Sequence, residues 1–499
     1  MSRAQDVSRF PSSDKRRFQT KNRFWVLLII AVLVHCMSAC THYSLIQQTP
    51  LAKNGYLIRD VNVFTAVADS PVLEDMDVYI LGETIAMISK ERLNIPGAEE
   101  IDRKGKMLLP GLIDFHTHIT SGMIIPWGDI MPTMRFNMEA CLYSGVTAIV
   151  DMSGKSTLEM KALAEDIEAG KLAGPHLFQC GMGFTGKGAH PIPMMEELKS
   201  TYPWFVRPFF PEVVIQVQDV TDMERLEKHL DSNPDFTKIF LDDLPDGTPK
   251  MKPEIVKEIV KRSHEQGIPV VIHIGRNEDV KVAIDSGADG IAHDVYKEPL
   301  DPGLARELAK RKMFVTPTVY VFHNLNDFMN NKNYTHYTKL EWETMYPSGV
   351  SALKNPKPYI VPQGDPWGIN YKHFKDSYVQ VLHPNVKMLK DAGVTIIAGT
   401  DAPNLGIATG GSLHVELQHL VQGGLTPTEA LISATSTPAM TLKQVFHRNV
   451  NFGTIEKGKA ADLVLVQGDP TKNIKDTENI VAVFYQGHRV ARSKTNHQE

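Results

Sequence analysis

His116 and His118 stand two residues apart in Gly111-Leu112-Ile113-Asp114-Phe115-His116-Thr117-His118. On a β-strand that spacing turns both imidazoles to one face, where together they can ligate a divalent ion. Taken alone, such a pair is as readily packed or solvent-facing. Lys238 lies amid apolar residues in Asp235-Phe236-Thr237-Lys238-Ile239-Phe240-Leu241. An ammonium aimed into a protein interior is costly and repels a metal, whereas a neutral amine can add carbon dioxide and become a carbamate. That product is an anionic, two-oxygen ligand able to bridge two ions. The competing arrangement is a lysine reaching solvent from the outer face. His273, His293 and Asp401 each close an apolar run, in Val270-Val271-Ile272-His273, Gly290-Ile291-Ala292-His293 and Ile396-Ile397-Ala398-Gly399-Thr400-Asp401. Ligand-type residues recurring at the ends of apolar runs point to one shared site.

Such residues need a scaffold that gathers strand ends. Between about residues 107 and 445, strand-like runs at 111–118, 147–152, 176–181, 236–241, 269–274, 290–294, 314–320 and 395–401 alternate with helical segments. The helical segments include 156–169, 253–266, 279–286 and 302–312. Eight strands with crossover helices predict an α/β fold, a (β/α)8 TIM barrel whose active residues gather at the C-terminal strand ends. Short β-like runs at 55–63, 78–81 and 86–89 are matched at the other end by 461–466 and 480–485. Both chain ends are therefore expected to form one small β-sandwich subdomain. The expected organisation is 1–40 as an anchor segment, 41–106 and 446–499 as the two parts of the sandwich, and 107–445 as the barrel. Two long connections, 183–235 and 323–372, are rich in Pro, Tyr, Trp and Phe and are expected to shape a substrate pocket.

With these residues in place the sequence resembles the amidohydrolase superfamily, in its binuclear branch similar to prolidase-like and imidazolonepropionase-like enzymes. The family pattern of HxH on strand one, lysine on strand four, histidines on strands five and six and aspartate on strand eight falls on His116, His118, Lys238, His273, His293 and Asp401. The spacing of His273 and His293, the stretch Gly424-Leu425-Thr426-Pro427-Thr428-Glu429-Ala430-Leu431 and the stretch from Gly453 to Leu463 are also similar. One departure is Gly275, where close relatives often carry a second histidine; Arg276 follows it.

The resemblance implies two divalent ions, most simply Zn2+ by donor type, bridged by a CO2-derived carbamate on Lys238. It implies hydrolysis of an amide or peptide C–N bond by a metal-bridging hydroxide, with Asp401 as catalytic proton carrier. A dipeptide or N-acyl amino acid is the leading substrate class, and His190, Tyr320 and Arg276 are candidate contacts for its carboxylate. Hydrolysis of a cyclic amide, lactone or amidine, including deamination, is the enzymatic alternative. A catalytically dead binding barrel is the non-enzymatic one, and a homo-oligomer is compatible with all three.

Composition sets outer limits. With 42% hydrophobic and 22% charged residues, the 499-residue chain is ordinary globular material with room for a large core. The first 39 residues carry seven Lys/Arg against two acids, so the remainder carries −10 against the whole chain's −5. A mildly acidic body without a basic stripe argues against nucleic acid as a partner. The basic cluster precedes the apolar run Phe24-Trp25-Val26-Leu27-Leu28-Ile29-Ile30-Ala31-Val32-Leu33-Val34-His35-Cys36-Met37-Ser38-Ala39, the charge order of an export signal. Met37-Ser38-Ala39-Cys40 resembles a bacterial lipobox, so Cys40 is the expected lipidation site. Thr41 after it favours the outer membrane. An uncleaved single-span anchor is the alternative, and both place the body outside the cytoplasm. Cys141 and Cys180 are expected to be buried free thiols.

Overall fold

A computed structural model describes residues 44–493 apart from 68–71, 103–104, 122–133, 201–203, 206, 210–211, 222, 245, 330–335, 356–375 and 405. The chain divides into a unit spanning 1–44 and a second spanning 45–499. The anchor segment and Cys40 lie outside the described residues. Among the described residues no helix is long and apolar enough to cross a membrane.

In chain order the strands of the second unit begin with β1 (Ile46–Gln48), β2 (Tyr56–Val63), β3 (Leu73–Leu81), β4 (Thr84–Ser89), β5 (Glu99–Asp102) and β6 (Lys106–Pro110). The middle supplies β7 (Leu112–Thr117), β8 (Val146–Asp151), β9 (His176–Gln179), β10 (Gly183–Gly186), β11 (Val214–Val217), β12 (Thr237–Phe240), β13 (Val270–His273), β14 (Gly290–Ala292), β15 (Phe314–Thr316) and β16 (Thr395–Ile396). The end supplies β17 (Leu463–Gln467), β18 (Ile480–Tyr485) and β19 (His488–Arg492).

Both chain ends build a single nine-stranded sheet, in which β6 pairs antiparallel with β17 and parallel with β2. Val61, Val63, Val78, Leu108, Leu463, Leu465 and Phe484 pack in its core, so each end of the chain buries the apolar face of the other.

The middle strands are all parallel, in the orders β7-β8-β9 and β11-β10-β12-β13-β14-β15-β16. Strands such as Val270–His273 are buried at every residue, as expected where helices cover parallel strands. Helices Thr157–Glu168, Pro253–Glu265, Asn277–Ser286 and Pro302–Lys310 fall on the expected segments. Backbone bonds tie the two sheets together at both edges. Past β16, the Asp401 N–H donates to the His116 carbonyl at 2.7 Å and the Phe115 N–H to that of Ala398 at 3.1 Å. At the other edge the Asp235 N–H donates to the Gln179 carbonyl at 2.9 Å. One aromatic core unites them: Phe446 lies 5.5 Å from Phe115 and 5.1 Å from Phe236, ring to ring.

Two departures from the sequence expectation bear on the site. The stretch 183–235 is not one insertion, since it contains β10, β11 and helices Ile192–Ser200 and Glu224–Asp231. The run 314–320 is not strand to its end. Strand β15 stops at Thr316 and a helix spans Val319–Met329, which places Tyr320 in a first helical turn. The cause is tertiary: the buried carboxyl group of Glu416 accepts the N–H groups of Val319 at 3.0 Å and Tyr320 at 2.8 Å, satisfying donors that a helix start leaves unpaired.

Candidate metal centre

His116 and His118, at and just past the end of β7, point to the same side, their ring centroids 5.5 Å apart. The His116 ring is 4.7 Å from that of His293, which in turn is 4.2 Å from that of His273. Asp401 joins the group through Oδ1, 3.0 Å from His118 Nε2 and 3.4 Å from His116 Nε2. Ligand atoms of His116, His293 and Asp401 lie within 4.8 Å of one another. Lys238 is fully buried on β12, and its charge bears directly on His116, His273, His293 and Asp401.

Close approach of the first and last strands depends on Gly399, where a Cβ would come within 2.8 Å of His116. Buried Asp114 fixes the same junction by accepting from the Thr400 N–H at 3.0 Å, the Thr400 hydroxyl at 2.6 Å and the His116 N–H at 3.2 Å. His293 and Asp401 adopt φ of 72° and 63°, left-handed values that are costly for residues with a Cβ. Such conformations persist where surrounding contacts over-determine them, and they concentrate at functional sites.

Outer partners set the imidazole orientations. His118 Nδ1 bonds to the Ser153 carbonyl at 2.9 Å, and His293 Nδ1 to Thr318 Oγ1 at 2.6 Å. Asp242 lies 3.4 Å from His273 Nε2 and also accepts from the Tyr296 hydroxyl and, at 2.8 Å, from Lys297 Nζ. Burial opposes the charge on Asp242, yet the His273 hydrogen bond and the Lys297 ammonium hold its carboxyl well below the usual range. Neither Asp242 nor Asp114 is marked by spacing, because each acts from beside the ligands rather than among them.

Electrostatics matches a cation site. Burial pushes His116 and His293 well below their ordinary value and His273 down to about 3, so their rings are neutral donors. Burial opposes ionisation of Asp401, but its hydrogen bond and charge interaction with His118 keep it below the usual carboxylate range. Burial lowers Lys238 to about 8. Lys238 Nζ and both nitrogens of His116 are buried without a hydrogen-bond partner. Unsatisfied polar atoms at this depth cost free energy, and a divalent cation would take up the lone pair of one His116 nitrogen.

Of the three expected substrate contacts the structure brings one to the centre. His190 stacks obliquely on His273 at 5.0 Å, and its Nδ1 bonds to the Leu244 carbonyl at 2.9 Å. Arg276 instead forms ion pairs with Asp246 at 3.1 Å and Asp243 at 3.4 Å, so its charge is already matched. Tyr320 turns to the helices, its ring stacked on His419 at 5.4 Å.

A sequence model of the amidohydrolase family matches residues 107–490. The chain belongs to the amidohydrolase family. As an amidohydrolase it is an enzyme that acts on carbon–nitrogen bonds of small-molecule or peptide substrates, in a family that binds divalent metals. This amidohydrolase is 24% identical over 428 residues to a 5-methylthioadenosine/S-adenosylhomocysteine deaminase of Caldanaerobacter subterraneus, covering 82% of this chain and 84% of the deaminase. A dihydroorotase of Listeria monocytogenes is 28% identical over 115 residues, 23% of this chain and 25% of the dihydroorotase. In fold it is similar to a Xaa-Pro dipeptidase crystallised with methionine in the active site, with a TM-score of 0.65 at 21% identity over 87% of this chain and 99% of the dipeptidase. The ochratoxinase of A. niger gives a TM-score of 0.61 at 19% identity over 87% of this chain and 95% of that enzyme.

Proposed function

We propose that this amidohydrolase is a two-metal hydrolase that cleaves the C–N bond of a dipeptide or an N-acyl amino acid. The observation that carries this reading is the Lys238 amine, buried without a hydrogen-bond partner and coupled through its charge to His116, His273, His293 and Asp401. With burial lowering it to about 8, roughly a tenth of the amine is neutral at pH 7, far more than for an ordinary lysine. Neutral Nζ can attack carbon dioxide: an N–C bond forms, one amine proton leaves to water, and a carbamate remains. His116, His118 and Asp401 would hold one ion and His273 and His293 the other, with the Lys238 carbamate between them. Imidazole and carboxylate donors favour zinc.

When bound, the two ions supply Lewis acidity that polarises the scissile carbonyl and lowers the pKa of water toward roughly 7. The chain's own part is proton handling and orientation. Asn404 Nδ2 donates to Asp401 Oδ2 at 3.0 Å and leaves Oδ1 on the histidine side. There Asp401 takes the proton of the attacking water and passes it to the leaving nitrogen. His190, its Nδ1–H donating to the Leu244 carbonyl, keeps a lone pair on Nε2 that can accept an N–H of the substrate.

A second reading, hydrolytic deamination of an amidine, is favoured by the match to the deaminase across most of this chain. The products separate them. Purified chain is incubated with Xaa-Pro dipeptides and N-acyl amino acids, then with purine-type amidines. Free amino acid from the first panel is expected; ammonia from the second with no turnover of the first overturns the leading reading.

The reading extends to architecture and location. The edge bonds of Asp401 and Asp235 support closure of the parallel strands into a (β/α)8 barrel over 107–445, with the nine-stranded sheet curled into a β-sandwich from 41–106 and 446–499. The basic-then-apolar order of 1–40 supports export and lipidation at Cys40.

A further inference from the structure

A second group of imidazoles lies away from the strand ends and shares no side chain with the centre described above. His323 sits on helix Val319–Met329, His383 on helix Asp376–Asp391 and His419 on helix Gly411–Gln422. These helices pack against one another pairwise. One nitrogen from each ring lies within 4.8 Å of the other two, and all three residues are half-buried. His383 Nε2 and His419 Nδ1 are 3.0 Å apart. The ring centroid of His323 lies 4.5 Å from that of His419 and 5.0 Å from that of His383.

We propose that His323, His383 and His419 form a further transition-metal site, of the zinc class, that clasps the three helices together. A tetrahedral zinc with Zn–N bonds of about 2.0–2.1 Å places its nitrogen ligands about 3.3 Å apart. The observed spacing needs only small side-chain rotations to reach that. Three imidazole donors suit zinc, nickel or copper and disfavour calcium or magnesium, which require oxygen donors.

The clasp reaches the catalytic wall through two residues, Phe322 and Tyr378. Phe322, next to His323, meets the His293 ring edge-on at 5.5 Å and stacks on Tyr296 at 4.1 Å, and Tyr296 in turn donates to Asp242. From the His383 helix, Tyr378 donates to Asp246 at 2.8 Å. Metal in the clasp therefore fixes two helices whose other faces support His273 and His293.

The test uses full-length chain and zinc as the probe. Histidines are modified with diethylpyrocarbonate with and without zinc, and each modified peptide is quantified by mass spectrometry. At zinc about ten times its dissociation constant, modification of His323, His383 and His419 is expected to slow about tenfold together. His383→Gln is expected to lower bound zinc by one equivalent per chain and to remove the protection of His323 and His419, while the peptide carrying His116 and His118 stays protected. Modification rates of the three clasp histidines in the unaltered chain that do not respond to zinc overturn the proposal, whether or not the variant folds.

Discussion

Two clusters of imidazoles share this molecule and differ in their company. At the strand ends four histidines surround Asp401 and Lys238, and Ser153, Thr318 and Asp242 hold three of the rings from outside. Between the helices His323, His383 and His419 contact one another, and His419 stacks on the ring of Tyr320. Anionic ligands would let the first cluster neutralise the two proposed cations and move a proton, whereas three imidazoles would hold one cation. His176 is the counter-example that explains both. Burial opposes its charge, but Asp462 at 3.0 Å and Glu168 at 2.7 Å raise it to about 9. An imidazole between two carboxylates is a cation, whereas burial holds His116, His273 and His293 in the neutral form.

The largest effect should come from Lys238→Ala, which removes the proposed bridge. Turnover is expected to fall about 10³-fold or more, with loss of bound metal and partial rescue by small carboxylic acids. Metal content and turnover at the level of the unaltered chain would erase the distinction between the clusters. Next is Asp242→Asn, which weakens the hold on His273 and should reduce metal affinity at the strand-end centre about 10–100-fold, read by competition with a chelator. An unchanged affinity would show that Asp242 serves only its ion pair with Lys297.

The carboxylate rule itself is sharpened by His176→Gln. Because the folded-state value, about 9, lies above the unfolded 6.5, the stabilisation is fully present below about pH 6.5 and is lost as pH rises through about 9. The difference in stability between the two chains should reach at most about 3 kcal/mol near pH 6 and vanish above about pH 10, read by denaturant unfolding across pH. A difference independent of pH would mean that packing on Phe452, stacked at 4.8 Å, outweighs the ion pairs with Asp462 and Glu168. The smallest effect should be that of Arg276→Ala on KM for a carboxylate-bearing substrate, within about threefold, since Asp243 and Asp246 already match its charge. A KM increase of more than about tenfold would restore it as a substrate contact.

Much of the strand-end centre was legible because strand geometry is periodic. Two residues apart means one face, so His116 and His118 could be paired from their spacing, and an apolar run ending in a ligand-type side chain marks a strand end. Lys238 was legible only through those neighbours. The clasp was not legible: its histidines lie on three helices separated by long stretches of sequence, and no period relates them. Tyr320 was misplaced for a similar reason, since an apolar, β-branched run reads as strand until a carboxyl group distant in sequence, Glu416, accepts its amides and starts a helix.

Alternation of strands and helices, the ligand types and their order along the chain follow from the residues alone. Which ligands are oriented by Asp242, Asp114 or Thr318, which cations are already matched, and which distant histidines become neighbours depends on how the chain packs. Local patterning follows from the backbone's repeat, but a hydrogen bond or an ion pair between remote segments depends on distances that exist only after the core has packed.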